Sequence, residues 1–332
     1  MNYVRSEDLN DAGGVRRGSV PSLVCVSAKD LMGQAFPPVR WVVPELVPDG
    51  LTMLAGKPKV GKSWLMLNMA LAVASGGFVL DQKCEQGAVL YLALEDNQRR
   101  LQDRIRRCCP FQEKPEALDL CTSMLPLDQG GTDQIGEWIT RAHNPRLVVV
   151  DVFGKVRRRR GTQEGLYDAD YLSAMPLKSL SDSAGVGIAL VHHLNKQSHD
   201  VDPLDGVSGS TGLTGAMDTI LALTRGVEGV TLHVSGRDVE TRDLAVRFDG
   251  ETYRWSLMGD AAEFRMSEER RAIVAALRGE SEPLGPTEIT DVTGHKAGAT
   301  RKLLHHMVKS GEVQREGRGK YKLSDSHPRE HW

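Results

Sequence analysis

The chain has 332 residues, 40% apolar and 26% charged, which suits a globular protein with room for a large core and two domains. Its net charge of −2 excludes global basic character, so any site for a polyanion must be local. There is no signal-peptide core, no apolar run of membrane-spanning length, and no zinc or redox spacing among Cys25, Cys84, Cys108, Cys109 and Cys121, so a cytoplasmic protein with reduced thiols and no membrane partner is expected.

Residues 1–27 are polar and glycine-rich and are expected to be disordered. A lead-in with Pro37, Pro38 and Trp41 closes on the turn Pro48-Asp49-Gly50. Residues 51–55 read as a short buried strand. Next comes Gly56-Lys57-Pro58-Lys59-Val60-Gly61-Lys62-Ser63, the phosphate-binding pattern G-x-x-x-x-G-K-S, and then an apolar helix from Trp64 to Ala74. In that context the loop N–H groups and the helix N-terminus wrap phosphate oxygens. Lys62 reaches the β- and γ-phosphates, and Ser63 is a ligand for Mg²⁺. The nucleotide-contacting set runs from Gly56 through Trp64, and ATP with Mg²⁺ is the expected cofactor pair.

Further strands are expected at 88–94, 146–150, 187–192, 219–224 and 231–234, with helices at 97–107 and 169–184. This alternation predicts an α/β fold, a mainly parallel sheet with helices on both faces. Strand 88–94 ends in Glu95, placed to orient or deprotonate an attacking water, while Asp96 can cap the helix that follows. The apolar strand ending in Asp151 has the pattern of a second, carboxylate ligand for Mg²⁺. Strand 187–192 leads into His192-His193, where a neutral imidazole can bond phosphate or water; one of the two is expected simply to pack or face solvent. Residues 244–248 and 252–257 around Asp249-Gly250 read as a hairpin with an Asp-Gly turn.

A linker is expected at 258–267. A second domain at 268–323 then reads as helices 267–278, 286–292 and 297–310 and a hairpin 312–315/320–323, the order of a winged helix, before a loose tail at 324–332.

Taken in order, Gly56 to Ser63, Leu94-Glu95-Asp96, Val150-Asp151, Val191-His192-His193-Leu194-Asn195-Lys196, Ser235-Gly236-Arg237-Asp238 and the stretch 209–218 resemble the RecA-like ATPases. The resemblance covers 28–257. It is nearest to the hexameric replicative helicases related to plasmid RepA, the AAA domain 25 group, and more distant from DnaB-type helicases. It implies a RecA-like ATPase domain with Glu95 as catalytic base, His193 as γ-phosphate sensor and Arg237 as an arginine finger toward a neighbouring subunit of a homo-oligomeric ring. DnaB-type relatives carry Lys two positions before that arginine, and here the residue is Ser235; an ion pair from Arg237 to Asp238 or Glu240 is the structural alternative.

Two stretches are candidates for DNA. Arg157, Arg158, Arg159 and Arg160 follow Asp151, and Lys196 follows the His pair. The resemblance implies that these loops line a central channel, and a solvated charge run is the alternative for the arginines. Residues 292–322 carry a local charge of +6, with Arg301, Lys302, His305 and Lys309 on the expected recognition helix and Arg318 and Lys320 on the wing. A winged helix used for protein contacts is the alternative there.

The expectation is a DNA-dependent ATPase, a replicative-type helicase of a plasmid, phage or integrated element, with single-stranded DNA, duplex DNA and replication proteins as partners. An ATP-switched DNA-binding regulator or partitioning factor and a RecA-like recombination mediator stay open.

Overall fold

The structure is a computed structural model that describes residues 25–36, 38–109, 115–158, 165–193, 211–226, 229–278, 280, 282–317 and 319–324. The chain separates into two compact units, Met1–Pro38 and Val39–Trp332. In the first, a single described helix, α1 (Ala28–Met32), is capped by Ser27, whose hydroxyl accepts the Asp30 N–H at 3.1 Å; none of its residues is buried. Most of the segment expected to be disordered (1–27) and of the expected tail (324–332) lies outside the described residues.

The second unit is built on one nine-stranded sheet. After a small ribbon of β1 (Trp41–Val43) and β2 (Val47–Pro48), β3 (Leu51–Gly56) leads through the glycine-rich loop into α2 (Lys62–Ser75). A second ribbon, β4 (Phe78–Val79) and β5 (Gln82–Lys83), precedes β6 (Ala88–Ala93), α3 (Gln98–Cys108), β7 (Leu118–Cys121), α4 (Gly131–Arg141) and β8 (Pro145–Asp151). Then come α5 (Leu166–Ala184), β9 (Gly187–His193), α6 (Thr211–Gly215), β10 (Thr219–Gly226), β11 (Gly229–Gly236), β12 (Arg242–Phe248) and β13 (Trp255–Asp260).

Across the sheet the order is β13-β12-β11-β10-β3-β9-β8-β6-β7. Strands β7 through β10 run parallel, and β10 to β13 form an antiparallel meander. Parallel strands buried on both faces need continuous apolar sequence, which β3, β6, β8 and β9 supply. One face packs on α2 through Leu65, Met66, Met69 and Val73. The other packs on α4 and α5 through Ile135, Trp138, Ala174 and Leu177. The expected mainly parallel α/β sheet with helices on both faces is therefore present.

Three local readings are corrected. The hairpin after β12 is closed by six residues, not a two-residue Asp-Gly turn, since Phe248 pairs with Trp255. Asp249 Oδ1 accepts the Glu251 N–H at 2.8 Å, and Tyr253 takes φ +55° to set its ring 4.7 Å from Trp64, which a tight turn would not allow. The stretch 258–267 is no linker: β13 runs to Asp260 and α7 (Ala261–Arg278) starts at the next residue. Asp260 Oδ1 accepts the N–H groups of Ala262 (2.8 Å) and Glu263 (3.0 Å), a cap that starts the helix well ahead of the expected position. Finally, β7 and α4 fill a stretch to which the sequence reading assigns no element.

Beyond α7 lie α8 (Pro286–Thr293), α9 (Ala297–Lys309) and the antiparallel pair β14 (Val313–Glu316) and β15 (Lys320–Leu323). They close around their own core of Ile273, Leu277, Ile289, Leu303, Leu304, Met307, Val313 and Tyr321. Among the described residues no helix is long and apolar enough to cross a membrane.

Candidate nucleotide-binding and hydrolysis site

In parallel sheets ligands bind beyond the carboxyl ends of the strands, and the predicted phosphate, metal and water-activating residues meet there. The loop after β3 tolerates side chains poorly. A Cβ on Gly56 would lie 2.6 Å from the Leu223 carbonyl oxygen. One on Gly61, at φ +108°, would lie 2.6 Å from the Trp255 ring. Lys59 also takes a left-handed backbone, φ +65°. Pro58 and Lys57 are exposed on the rim, and Val60 is buried beneath them.

Lys62 is only 4% exposed. Its Nζ donates to the carbonyl oxygens of Gly56 (2.7 Å) and Lys57 (3.0 Å) and lies 3.1 Å from His193 Nδ1. An ammonium donating to Nδ1 places the imidazole proton on Nε2, the nitrogen that faces Glu95 Oε2 at 3.9 Å. Burial lowers the Lys62 pKa from 10.5 to about 8, against the opposing pull of Asp151 and then Glu95.

Next to Lys62, Ser63 Oγ donates to Asp151 Oδ1 at 3.1 Å. Asp151, 5% exposed, also receives a 2.8 Å bond at Oδ2 from the Tyr91 hydroxyl. Burial raises the Asp151 carboxyl above its ordinary value, while the bonds from Tyr91 and Ser63 hold it down. The Tyr91 phenol is pushed well up, by burial first and by Asp151 second, so it stays a donor. The Asp151–Val152 peptide bond is cis.

A hydroxyl and a carboxylate converging at a helix N-terminus are the protein half of a Mg²⁺ site whose other ligands are phosphate oxygens and water. Consistent with that sparse type, no cluster of three or more His, Cys, Asp or Glu side chains is placed to hold a metal among the described residues.

Glu95 stands exposed just beyond β6. The capping reading for Asp96 is corrected: Asn97 caps α3, its Oδ1 accepting the Arg100 N–H at 2.9 Å, because Asn97 holds the extended backbone immediately before the first helical residue. Asp96 instead binds Arg100 Nε at 2.9 Å and the Arg104 guanidinium. Of the histidine pair, strand alternation turns His193 to the site and half-buries His192, whose pKa is lowered by burial.

The Trp64 ring packs away from the loop, tilted against Tyr253 and under the Arg104 guanidinium at 4.5 Å; its backbone N–H donates to the Gly61 carbonyl at 3.1 Å.

Arg237 is not brought to this cluster. It follows β11 at the opposite end of the sheet, where Thr219 pairs with both Gly236 and Thr52. Thr52 and Gly56 are about 13 Å apart along β3. The ion-pair partner is neither Asp238 nor Glu240: Arg237 reaches Asp218 Oδ1 at 3.4 Å and its own N–H donates to the Asp218 carbonyl at 2.9 Å, leaving the side chain 66% exposed. Asp218 Oδ2 also accepts the Leu51 N–H at 2.8 Å and lies 3.2 Å from Lys178 Nζ.

Of the candidate DNA contacts, Arg157 is paired with Asp170 on α5 at 3.0 Å, and Arg158 stands beside it, half-buried. Arg159, Arg160, Lys196 and Arg318 lie outside the described residues. Arg301, Lys302, His305 and Lys309 are exposed on α9, opposite buried Leu303, Leu304 and Met307, and Lys320 is exposed on β15.

Sequence reasoning misses two buried residues. Tyr91 is the one hydroxyl in an otherwise apolar strand, and Asn68 the one amide among the apolar residues 65–74 of α2. Asn68 accepts the Trp255 N–H at 2.9 Å and donates to the Tyr253 carbonyl at 3.2 Å, tying α2 to the meander behind the loop. In each case the available signal is the lone polar side chain.

The model of one protein family, AAA_25, an AAA domain, matches residues 17–199. No curated protein matches the chain. Among solved structures, one of an isolated ATPase domain is similar at 12% identity, over 63% of this chain and 84% of that one, with a TM-score of 0.49. A DnaB-like replicative helicase, from a structure that also treats its interactions with primase, is similar at 14% identity over 69% of this chain and 66% of its own length, again with a TM-score of 0.49. The family match spans more than half of the residues and includes the loop 56–63, Glu95, Asp151 and His193, so the chain belongs to the AAA_25 family of AAA domains.

Proposed function

We propose that the chain is an ATP hydrolase of the replicative-helicase type, coupling turnover to movement on single-stranded DNA. The observation that carries hydrolysis is the convergence at one sheet edge of Lys62, the Ser63–Asp151 pair and the His193–Glu95 pair. Lys62 and the loop N–H groups bind the β- and γ-phosphates. Ser63 and Asp151 hold Mg²⁺, which neutralises phosphate charge when bound. Glu95 orients and deprotonates the attacking water. His193, bridging Lys62 and Glu95, registers whether the γ-phosphate is present.

Arg237 supports assembly. It is exposed, and it stands at the far edge of the sheet from the loop, so it serves a nucleotide on a neighbouring copy of the chain, in a ring. Residues 268–323 serve as a winged helix. The cationic face of α9 meets duplex or forked DNA, and Arg157 to Arg160 with Lys196 meet the single strand.

The test is ATP turnover by the full chain with and without single-stranded DNA, beside strand displacement on a forked duplex. Turnover rises with single strands and the fork opens. Sequence-specific duplex binding with turnover indifferent to DNA would instead support the ATP-switched regulator.

A pH dependence follows from Lys62. Bound phosphate restores its charged form, so binding at pH 8, near its pKa of about 8, takes up about half a proton, and far less at pH 7. Titration calorimetry of ADP in buffers of different ionisation enthalpy measures this uptake.

A further inference from the structure

We infer that Tyr91 is the positioning residue of the metal site: its hydroxyl fixes Asp151 Oδ2 so that Oδ1 faces the ion beside Ser63. The inference rests on the reading of Ser63 and Asp151 as the divalent-ion ligands. Three observations support it. Tyr91 is fully buried on β6, two residues before the strand end, and packs in the core beneath α2. Its hydroxyl lies 2.8 Å from Asp151 Oδ2 and 3.3 Å from the Ser63 carbonyl oxygen, touching both ligand residues at once. The two Asp151 oxygens are thereby differentiated. Oδ2 is held by a group with no role toward the ion, and Oδ1 by Ser63 Oγ, which becomes a ligand itself and releases Oδ1 to the ion's side.

Free rotation of the Asp151 carboxylate would present either oxygen, or both, to the ion. Mg²⁺ demands near-ideal octahedral geometry and tolerates this poorly. A core phenylalanine would fill the same space between β6 and α2, so packing alone does not call for a hydroxyl at this position. Nor does the second strand neighbour supply the function. Val149 pairs with Tyr91 across β8 and offers no donor.

The experiment uses the full chain, Mn²⁺ as the probe and ADP as the nucleotide, with Mn²⁺ binding read by electron paramagnetic resonance. Tyr91→Phe is expected to raise the Mn²⁺ concentration for half-saturation at least about ten-fold, the loss of one hydrogen bond to a charged acceptor. ADP affinity in excess chelator and thermal unfolding stay at wild-type values. In an Asp151→Asn background the Tyr91→Phe effect disappears, because it acts through the carboxylate. Wild-type Mn²⁺ binding by Tyr91→Phe overturns the inference alone, as does an equal effect in both backgrounds, which marks a packing role. Unchanged Mn²⁺ binding by Asp151→Asn by itself removes the metal-site reading and the inference with it.

Discussion

Lys62→Ala is expected to abolish nucleotide binding and turnover while leaving the fold at least as stable as before. The ammonium is 4% exposed and has given up most of its hydration for two loop carbonyls and His193. Its pKa of about 8, against 10.5 for the free side chain, corresponds to a native-state penalty on the order of 3 kcal/mol for the charged form. The sign is that of a depressed lysine: the penalty is full below about pH 8, and stability rises with pH between about 8 and 10.5, where only the unfolded chain keeps the proton. A charge kept at such a cost in a ready-made anion cradle is explained by what it binds. Loss of a preorganised cation at transferring phosphate costs about 10² to 10³ or more in turnover. Scanning calorimetry without nucleotide should give a melting temperature for the variant no lower than wild type. A markedly lower one would mean that Lys62 serves the fold.

Glu95→Gln is expected to bind ATP normally and hydrolyse it about 10² to 10⁴ times more slowly, the range for a general base. Asp96, its neighbour, is occupied by Arg100 and Arg104 and has no freedom to replace it. Glu95 alone of the two stands exposed at the mouth of the site, 3.9 Å from His193. Gln keeps the size and removes the basic oxygen. Binding measured with fluorescent ATP and turnover measured by phosphate release separate the two functions. Robust turnover by this variant would end the assignment of Glu95 as base.

The parallel half of the sheet is legible in the sequence because its strands are buried on both faces, and their sequences are unbroken apolar runs that end at or just before the functional side chains Glu95, Asp151 and His193. Strand β7, at the sheet edge and largely exposed, offers no such run, and α4 starts on Gly131 and carries Gly136, residues that weaken a helical reading. The start of α7 is hidden because Asp260 serves as strand end and helix cap together. Partners distant in sequence are the other loss. Asp238 and Glu240 are the acids nearest Arg237 along the chain, but the β10–β11 register brings Asp218, nineteen positions away, against it. Tyr91 is invisible as a site residue since a tyrosine within a buried strand reads first as core.

The missing linker has a mechanical consequence. With the last strand passing at Asp260 directly into an 18-residue helix, the sheet and the C-terminal core share one rod about 27 Å long. The compass direction in which α9 presents Arg301, Lys302 and Lys309 is then set by helical phase. One residue inserted in the exposed part of α7 would swing that face by about 100° around the rod, whereas seven would return it to nearly its original bearing about 10 Å farther out.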